Sequence, residues 1–138
     1  MLAAAFLTSA IPFEKEISVG EKAPKIETTK GANILGDANS DGKMRLISFW
    51  TPKKPASRIT NRELSQKYGD SNQEVEFISI CADSDEELMK EVMKIDGLKD
   101  VNAYSYSEIS SRAFKDYNAD ENPRAFLIDL NGKILNIL

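Results

Sequence analysis

The sequence predicts an α/β fold with a central mixed β-sheet, helices on both faces of that sheet and a C-terminal β-hairpin. Two compact apolar runs rich in β-formers, MRLISFW (Met44–Trp50) and EVEFISICAD (residues 74–83), are typical of buried strands. Each run precedes a stretch with helical spacing, and strand–helix–strand alternation favours a partly parallel sheet. The dipeptide Asn131-Gly132 lies between two further apolar runs and predicts a two-residue hairpin.

A further strand is expected before the two apolar runs. The predicted order of elements is therefore β, β, α, β, α, β, α and a β-hairpin. Gly20 and Pro24 precede a short alternating stretch, and this pattern indicates a lead-in followed by an edge strand. The next element is the central strand Met44–Trp50, which leads towards the first helix.

That helix is expected over residues 55–68, with Pro55 in its first turn and Gly69 just past its end. Its inward face is predicted to carry three residues at helical spacing: Ile59, Leu64 and Tyr68.

The second helix follows the strand at residues 74–83. The run Ser84-Asp85-Glu86-Glu87 has capping-box spacing, which predicts Ser84 as the N-cap, and Gly97 marks the end. The apolar stripe is predicted to consist of Leu88, Val92 and Ile95.

A short strand in VNAYSY and a third helix over residues 107–117 complete the order before the hairpin. Ile109, Ala113 and Phe114 are expected on the inward face of this helix.

Composition limits the possible functions of the chain. It has 138 residues, 41% of them hydrophobic, which is sufficient for one globular domain. With 18 basic and 22 acidic residues there is no basic excess, so nucleic-acid binding is not expected. The chain contains no histidine and one cysteine, Cys81, which excludes histidine-dependent catalysis, a thiolate zinc cluster and an intrachain disulfide.

The N-terminal residues 1–18 begin with an apolar stretch that resembles the core of a secretory signal. The charged start of such a signal is missing, so a frayed tail or a short strand is the alternative. We expect an exported, periplasmic protein, with a cytoplasmic location as the alternative. No segment approaches the roughly 20 apolar residues of a membrane-spanning helix.

Four stretches together resemble the thioredoxin-like superfamily, and within it the exported TlpA/ResA-type thiol–disulfide oxidoreductases and the related peroxiredoxin-like (AhpC/TSA-related) proteins. The stretches are VGEKAP, LISFWTPKKPASR, FISICADSDEELMK and NPRAFLIDLNGKIL. The resemblance implies a thioredoxin-like domain over residues 19–138. Members of the superfamily continue into one more helix, so the chain is expected to lack that helix or to be truncated.

The resemblance also locates the family's redox site, because LISFWTPKKPASR matches the strand that leads into the W-x-x-C-x-x-C helix. Phe49, Trp50 and Arg58 match the family pattern. The first cysteine falls on Lys54 and the second on Ser57, with Pro55 and Ala56 between them and Lys53 in place of the adjacent tryptophan. The family's cis-proline falls on Pro123, after Asn122. The resemblance therefore implies that the positions of the family's redox site, Lys54, Ser57 and Pro123, are kept as a redox frame without its two sulfurs.

The degenerate site leaves several readings open. Lys53 and Lys54 at a helix N-terminus could bind a carboxylate, phosphate or acidic peptide, or could be two solvated lysines. A groove between Trp50, Lys53–Ser57 and Asn122–Pro123 could capture a peptide. Cys81 is expected to pack in the core and not to act in redox chemistry.

The loop DANSDGK copies the start of a calcium-binding EF loop at Asp37, Asn39 and Asp41. Ser48 stands where the bidentate glutamate is needed, which favours a plain turn. We therefore expect no metal and no cofactor.

The resulting expectation is a redox-inactive domain that binds a peptide or protein, with an acidic partner as one option, or that serves as an accessory module in the cell envelope. The alternative is a thiol–disulfide oxidoreductase or peroxiredoxin-type protein acting through Cys81 or through cysteines of a partner. A purely structural domain of a larger assembly is a third reading.

Overall fold

The computed structural model describes residues 16–36, 41–69, 74–98 and 102–138, and its elements follow the expected alternation of strands and helices. Its five strands are β1 (Met44–Trp50), β2 (Val75–Cys81), β3 (Asn102–Tyr104), β4 (Ala125–Ile128) and β5 (Ile134–Ile137). Its helices are α1 (Pro55–Tyr68), α2 (Glu86–Ile95) and α3 (Ser111–Asp116), with a single 3₁₀ turn at Tyr106–Glu108.

The strands form one mixed sheet in the order β3-β2-β1-β4-β5. β1 pairs in parallel with β2, and β2 with β3, because a helix or a helix-containing segment connects each pair. β4 runs antiparallel to both β1 and β5. The predicted mixed sheet and its C-terminal hairpin are confirmed.

Alternation along β1 divides the core between the two faces of the sheet. Ile47 and Phe49 point to the face that packs against Phe114 and Tyr117 of the α3 region. Leu46 and Trp50 belong to clusters on the opposite face, towards α1 and α2. The helices therefore cover both faces, as the sequence predicts.

The inward face of α1 differs from the prediction, because it is polar. Ser57, Asn61 and Ser65, four residues apart, are buried, whereas Ile59 is 45% exposed. The hydroxyl of Ser79 on β2 donates to Asn61 Oδ1 at 2.9 Å, so small polar groups of helix and sheet satisfy one another. Leu64 and Tyr68 pack at the margin of the core as expected.

The cap of α2 is shifted by one residue from the prediction. Asp85 is the N-cap, and its carboxylate accepts from the backbone N–H of Leu88 at 3.1 Å. A local hydrogen bond stabilises the backbone turn before this helix start, because Asp83 Oδ1 accepts from the N–H of Asp85 at 2.8 Å. Gly97 ends the helix as predicted, at a φ of 72° that favours glycine.

The predicted stripe of α2 is wrong at Ile95, which is 71% exposed. The inward position of the last turn is instead taken by Asp96, four residues after Val92. Arg58 of α1 binds its carboxylate at 2.9 and 2.8 Å, which raises the pKa of the Arg58 guanidinium chiefly through these hydrogen bonds. This ion pair joins the two helices.

The lead-in forms isolated bridges instead of the expected edge strand: Lys22 pairs with Lys133, Glu27 with Asn33 and Thr28 with Ile109. Pro24 lacks the N–H that a continuous ladder needs. The segment is held by Tyr117, whose hydroxyl donates to the carbonyl of Pro24 at 2.6 Å.

The helix expected over residues 107–117 is divided into the 3₁₀ turn and α3. Ser105 and Glu108 form a capping box at the start of the turn, and the turn ends at Ile109, whose backbone is extended before α3 begins. Ile109, Ala113 and Phe114 are buried as predicted.

The hairpin turn is longer than the two residues predicted, because Asp129 binds the backbone N–H groups of Asn131 and Lys133 at 2.8 and 2.9 Å. Gly132 adopts a φ of 82° within this loop.

Candidate functional site

The junction between β1 and α1 is closed by Ser57, the residue that the resemblance aligns with the family's second cysteine. Its hydroxyl oxygen accepts from the backbone N–H of Thr51 at 3.0 Å, and the hydroxyl donates to the carbonyl of Lys54 at 2.7 Å. Ser57 is 8% exposed. Because the hydroxyl is committed to both roles, it stabilises the loop and is not disposed as a nucleophile.

Lys53 forms an ion pair with a buried carboxylate. Its ammonium lies 3.5 Å from Asp83 Oδ2, and the Asp83 side chain is 4% exposed. The hydroxyl of Thr51 also donates to that oxygen at 3.4 Å. Lys53 thus has an acceptor within the protein although most of its side chain is exposed.

Lys54, which the resemblance aligns with the family's first cysteine, is the N-cap of α1, and its side chain makes no capping hydrogen bond. Its ammonium donates to the backbone carbonyl of Glu121, in the turn before Asn122–Pro123. This contact joins the start of α1 to the opposite wall of the site. The anion-binding reading of the two lysines stays a prediction, and each ammonium already contacts a protein oxygen.

A cleft lies beside Ser57, at part of the predicted groove. This cleft of about 220 Å³ separates α1 from the segment that enters β4. Its lining includes Ala56, Ser57 and Thr60 on one side and Asn122 and Pro123 on the other.

Lys53 and Lys54 lie instead at a neighbouring cleft of about 270 Å³, whose lining also includes Asp83, Asp120 and Tyr106. Pro55 is exposed at the start of α1 and lines neither of the two clefts. The predicted groove residues are therefore divided between two adjacent surfaces.

Trp50 is predicted to line the groove, but it does not. Its side chain is fully buried and packs with Cys81, Met89 and Val92. The reason is alternation: Trp50 ends β1 on the face that α2 covers, directly beside Cys81 in the sheet register.

The cis bond expected at Asn122–Pro123 is also absent, since the described residues contain no cis peptide bond. The trans form is the ordinary preference of an X–Pro bond. The turn before the trans bond leads into β4, and within it the N–H of Asn122 donates to the carbonyl of Asn118 at 3.0 Å.

Cys81 is the last residue of β2 and is fully buried. Burial raises the pKa of its thiol to about 12, with the Asp83 carboxylate adding a smaller effect in the same direction. A thiol is neutral well above physiological pH under these conditions, as expected for a core cysteine.

The calcium-loop likeness falls partly outside the described residues, where Asp37 and Asn39 lie. Asp41 is described, and its carboxylate pairs with Arg45 at 3.1 Å and accepts from the N–H of Lys43 at 3.0 Å. In the part of the chain that the structure describes, no group of acidic or cysteine side chains is arranged to hold a metal ion.

Sequence reasoning missed two charged residues near the groove, Asp83 and Arg124. Asp83 belongs to the acidic cluster after β2, where its position directly beyond a buried strand was the available signal. Arg124 lies between Pro123 and the apolar run of β4. This single charge between a proline and an apolar run was the available signal for a residue near the groove.

A parallel β1–α1–β2 unit followed by an antiparallel hairpin, with the start of α1 opposite a proline that enters β4, defines the thioredoxin-like class of fold. Residues 42–134 match the family model described as thioredoxin-like. The chain belongs to this family.

Solved structures from several bacteria share the fold. A thioredoxin-like protein from Parabacteroides distasonis is 27% identical, with a TM-score of 0.71 over 88% of each chain. The C-terminal domain of a candidate thiol–disulfide oxidoreductase from Bacteroides thetaiotaomicron is 27% identical, with a TM-score of 0.63 over 87% of this chain and 86% of that one. The thioredoxin domain of a thiol–disulfide oxidoreductase from Bacteroides vulgatus is 22% identical, with a TM-score of 0.67 over 88% and 89%.

No curated protein sequence matches the chain significantly. Among the described residues, none of the helices combines the length and apolar character that crossing a bilayer requires.

Proposed function

We propose that the protein is a thioredoxin-like domain without thiol–disulfide activity that binds an extended peptide segment of a partner protein. The segment would occupy the groove between the start of α1 and Asn122–Pro123. One observation supports the proposal: Lys54 and Ser57, which the resemblance aligns with the family's two cysteines, both contact protein oxygens, and a cleft lies beside Ser57.

The chemistry of the groove suits a peptide. Ala56 and Leu138 offer exposed apolar surface, and Thr60 and Asn122 add polar groups at the margin. Peptide recognition commonly combines apolar side-chain pockets with a few polar contacts that set orientation. Such binding needs no sulfur, so it could persist in a chain that has lost both redox cysteines.

The alternative, thiol chemistry through Cys81, is less favoured. A thiol attacks as its thiolate, and burial of Cys81 both raises its pKa and removes it from solvent. Chemistry that uses a partner's cysteines would require the same groove to bind that partner.

Insulin reduction and peroxide consumption assays test the absence of thiol activity. We expect rates equal to the protein-free blank for the wild type and for Cys81→Ser. Turnover by the wild type that disappears in Cys81→Ser would contradict the proposal.

Peptide display against the wild-type protein tests binding, with a groove-filling variant as the discriminating control. Ala56→Arg places a long side chain in the cleft and is expected to abolish capture of the selected peptides. Gln66→Arg adds the same charge to an exposed position on the same helix and should leave capture unchanged. Equal loss in both variants, or no selected peptide, would refute a binding site in the groove.

Export of the chain is part of the proposal and rests on the apolar N-terminal residues. Fractionation of bacterial cells that produce the full chain, with N-terminal sequencing of the product, checks it. Recovery of the intact chain in the cytoplasmic fraction would argue against export.

A further inference from the structure

We propose that Arg124 binds a carboxylate of the peptide in the groove, so that the domain selects segments with a single Asp or Glu next to an apolar residue. This inference rests on the proposed peptide binding and adds the chemical class of the ligand. It begins from the position of Arg124, which lines both the groove and a larger cleft of about 670 Å³ on its other side.

The backbone of Arg124 is fixed. Its carbonyl accepts from the N–H of Phe49 on β1 at 3.1 Å, and the next residue begins β4. The guanidinium carbon lies 5.5 Å from the ring centroid of Phe126, a cation–π geometry that holds the planar group in place. A ligand would therefore meet a guanidinium whose orientation is already limited by packing.

The side chain of Arg124 nevertheless lacks the partner that such a group normally has. Its Nε is buried and has no hydrogen-bond partner among the described residues. Arg45, Arg58 and Arg112 each form an ion pair with an Asp or Glu, whereas Arg124 forms none within those same residues. A buried donor without an acceptor is unfavourable, and an incoming acceptor would relieve it.

A carboxylate is the ligand group that fits. Guanidinium presents parallel N–H donors that match the two oxygens of a carboxylate, and this pairing is among the strongest side-chain hydrogen bonds. The adjoining groove is lined by Ala56 and Leu138, which are exposed and would accept an apolar side chain next to the acidic one.

The charges around the larger cleft limit how acidic the ligand can be. Glu16, Glu21, Asp116 and Glu121 contribute to its lining together with Arg112 and Lys115. A run of acidic residues would meet repulsion there, because carboxylates outnumber the remaining cations. The preferred segment therefore carries one acidic residue with neutral or basic neighbours.

Two peptide libraries test this preference. Both consist of eight-residue peptides with acetylated and amidated ends and a randomised neutral background, one with a central Glu and the other with a central Gln. We expect the wild type to bind the best Glu peptides at least tenfold more tightly than their Gln counterparts, which corresponds to about 1.4 kcal/mol. A third set with Gln and a free C-terminal carboxylate distinguishes an acidic side chain from a chain terminus, and tighter binding of that set would overturn the choice of side chain.

Arginine variants assign the preference to one residue. Arg124→Gln should reduce the ratio of Glu to Gln affinities to about one while residual apolar binding persists. Arg62→Gln removes the same charge from α1, outside both clefts, and should leave the ratio within about twofold of wild type. A preserved ratio in Arg124→Gln, or binding by the wild type without a Glu preference, would overturn the carboxylate site but not peptide binding.

A direct measurement on the guanidinium keeps the two proposals separable. The NMR signal of the Arg124 Nε–H group, assigned with Arg124→Lys, is titrated with acetate against chloride at matched ionic strength. A saturable shift with acetate alone supports the site even if no peptide binds, in which case only the proposed function fails. No acetate-specific shift, together with no Glu preference, refutes the site.

Discussion

Cys81 is predicted to react with a disulfide reagent at neutral pH at least about 30-fold more slowly than an exposed thiol, since the greater nucleophilicity of a more basic thiolate offsets about half of the pKa effect. Burial raises its pKa from 9.0 to about 12, and this difference lowers the thiolate fraction at pH 7 by about 1000-fold. The thiol is also fully buried beside Trp50, so the reagent must wait for the structure to open. The second effect slows the reaction beyond the first.

The assay is the release of thionitrobenzoate from Ellman's reagent at pH 7, with and without guanidinium chloride. Since the chain has one cysteine, the whole signal reports Cys81, and Cys81→Ser provides the blank. We expect complete reaction within seconds for the unfolded chain and only slow reaction for the native one. Native labelling within seconds would refute the burial argument and restore Cys81 as a candidate redox residue.

The same residue predicts a dependence of stability on pH. The folded pKa is raised above the unfolded value, so folding favours the neutral thiol, and this contribution is complete below pH 9.0. It is lost as pH rises from 9.0 towards about 12, by about 4 kcal/mol in total. Urea unfolding at several alkaline pH values should show a steeper loss for the wild type than for Cys81→Ser. Parallel curves would contradict the raised pKa.

Three further predictions concern the contacts around α1. Arg58→Gln leaves the carboxylate of Asp96, which is 3% exposed, without its partner. We expect the free energy of unfolding, measured in urea, to fall by about 2–4 kcal/mol. This loss is smaller than for a fully buried ion pair because the Arg58 side chain is one-third exposed. Ser57→Ala removes the acceptor of the buried Thr51 N–H and should cost about 1–2 kcal/mol. Lys54→Cys combined with Ser57→Cys, in a background without the native thiol, should form an internal disulfide at the start of α1 and gain insulin-reducing activity, measured by thiol titration and turbidity.

Each of these predictions has its own control. The double variant Arg58→Gln with Asp96→Asn should recover part of the stability, since no charge is then left unpaired. An effect of Ser57→Ala below a few tenths of a kcal/mol would mean that water satisfies Thr51. Two free thiols in the double-cysteine variant after mild oxidation would show that Lys54 and Ser57 no longer lie at disulfide distance.

Local patterns along the chain were sufficient for most of the fold. β1 and β2 are short apolar runs with β-formers, and α1 begins at Pro55 and ends before Gly69, because these signals act within one or two turns of chain. Boundaries that depend on competing local hydrogen bonds were less predictable. Asp83 binds the N–H of Asp85 and moves the cap of α2, and the Asp129 carboxylate lengthens the hairpin loop.

Which side chains point towards the core was harder to predict from the sequence. Ile59 was expected inside by spacing, but Asn61 occupies the inward position because Ser79 on β2 presents a hydroxyl to it. Ile95 gives way to Asp96 because Arg58, 38 residues away in sequence, supplies the opposite charge. Both outcomes depend on a partner from another element, which a periodic pattern cannot specify.

The sequence by itself determined that no internal dithiol exists, since one cysteine cannot form a pair, and its resemblance to the family implies a redox frame at Lys54, Ser57 and Pro123. Only the tertiary structure decided what those positions do. It commits Ser57 to the loop, buries Trp50 under α2, and leaves the Nε of Arg124 without a hydrogen-bond partner among the residues that the structure describes. The physical reason is that burial and hydrogen-bond satisfaction depend on all the elements packed around a residue, whereas a motif records only its neighbours in the chain.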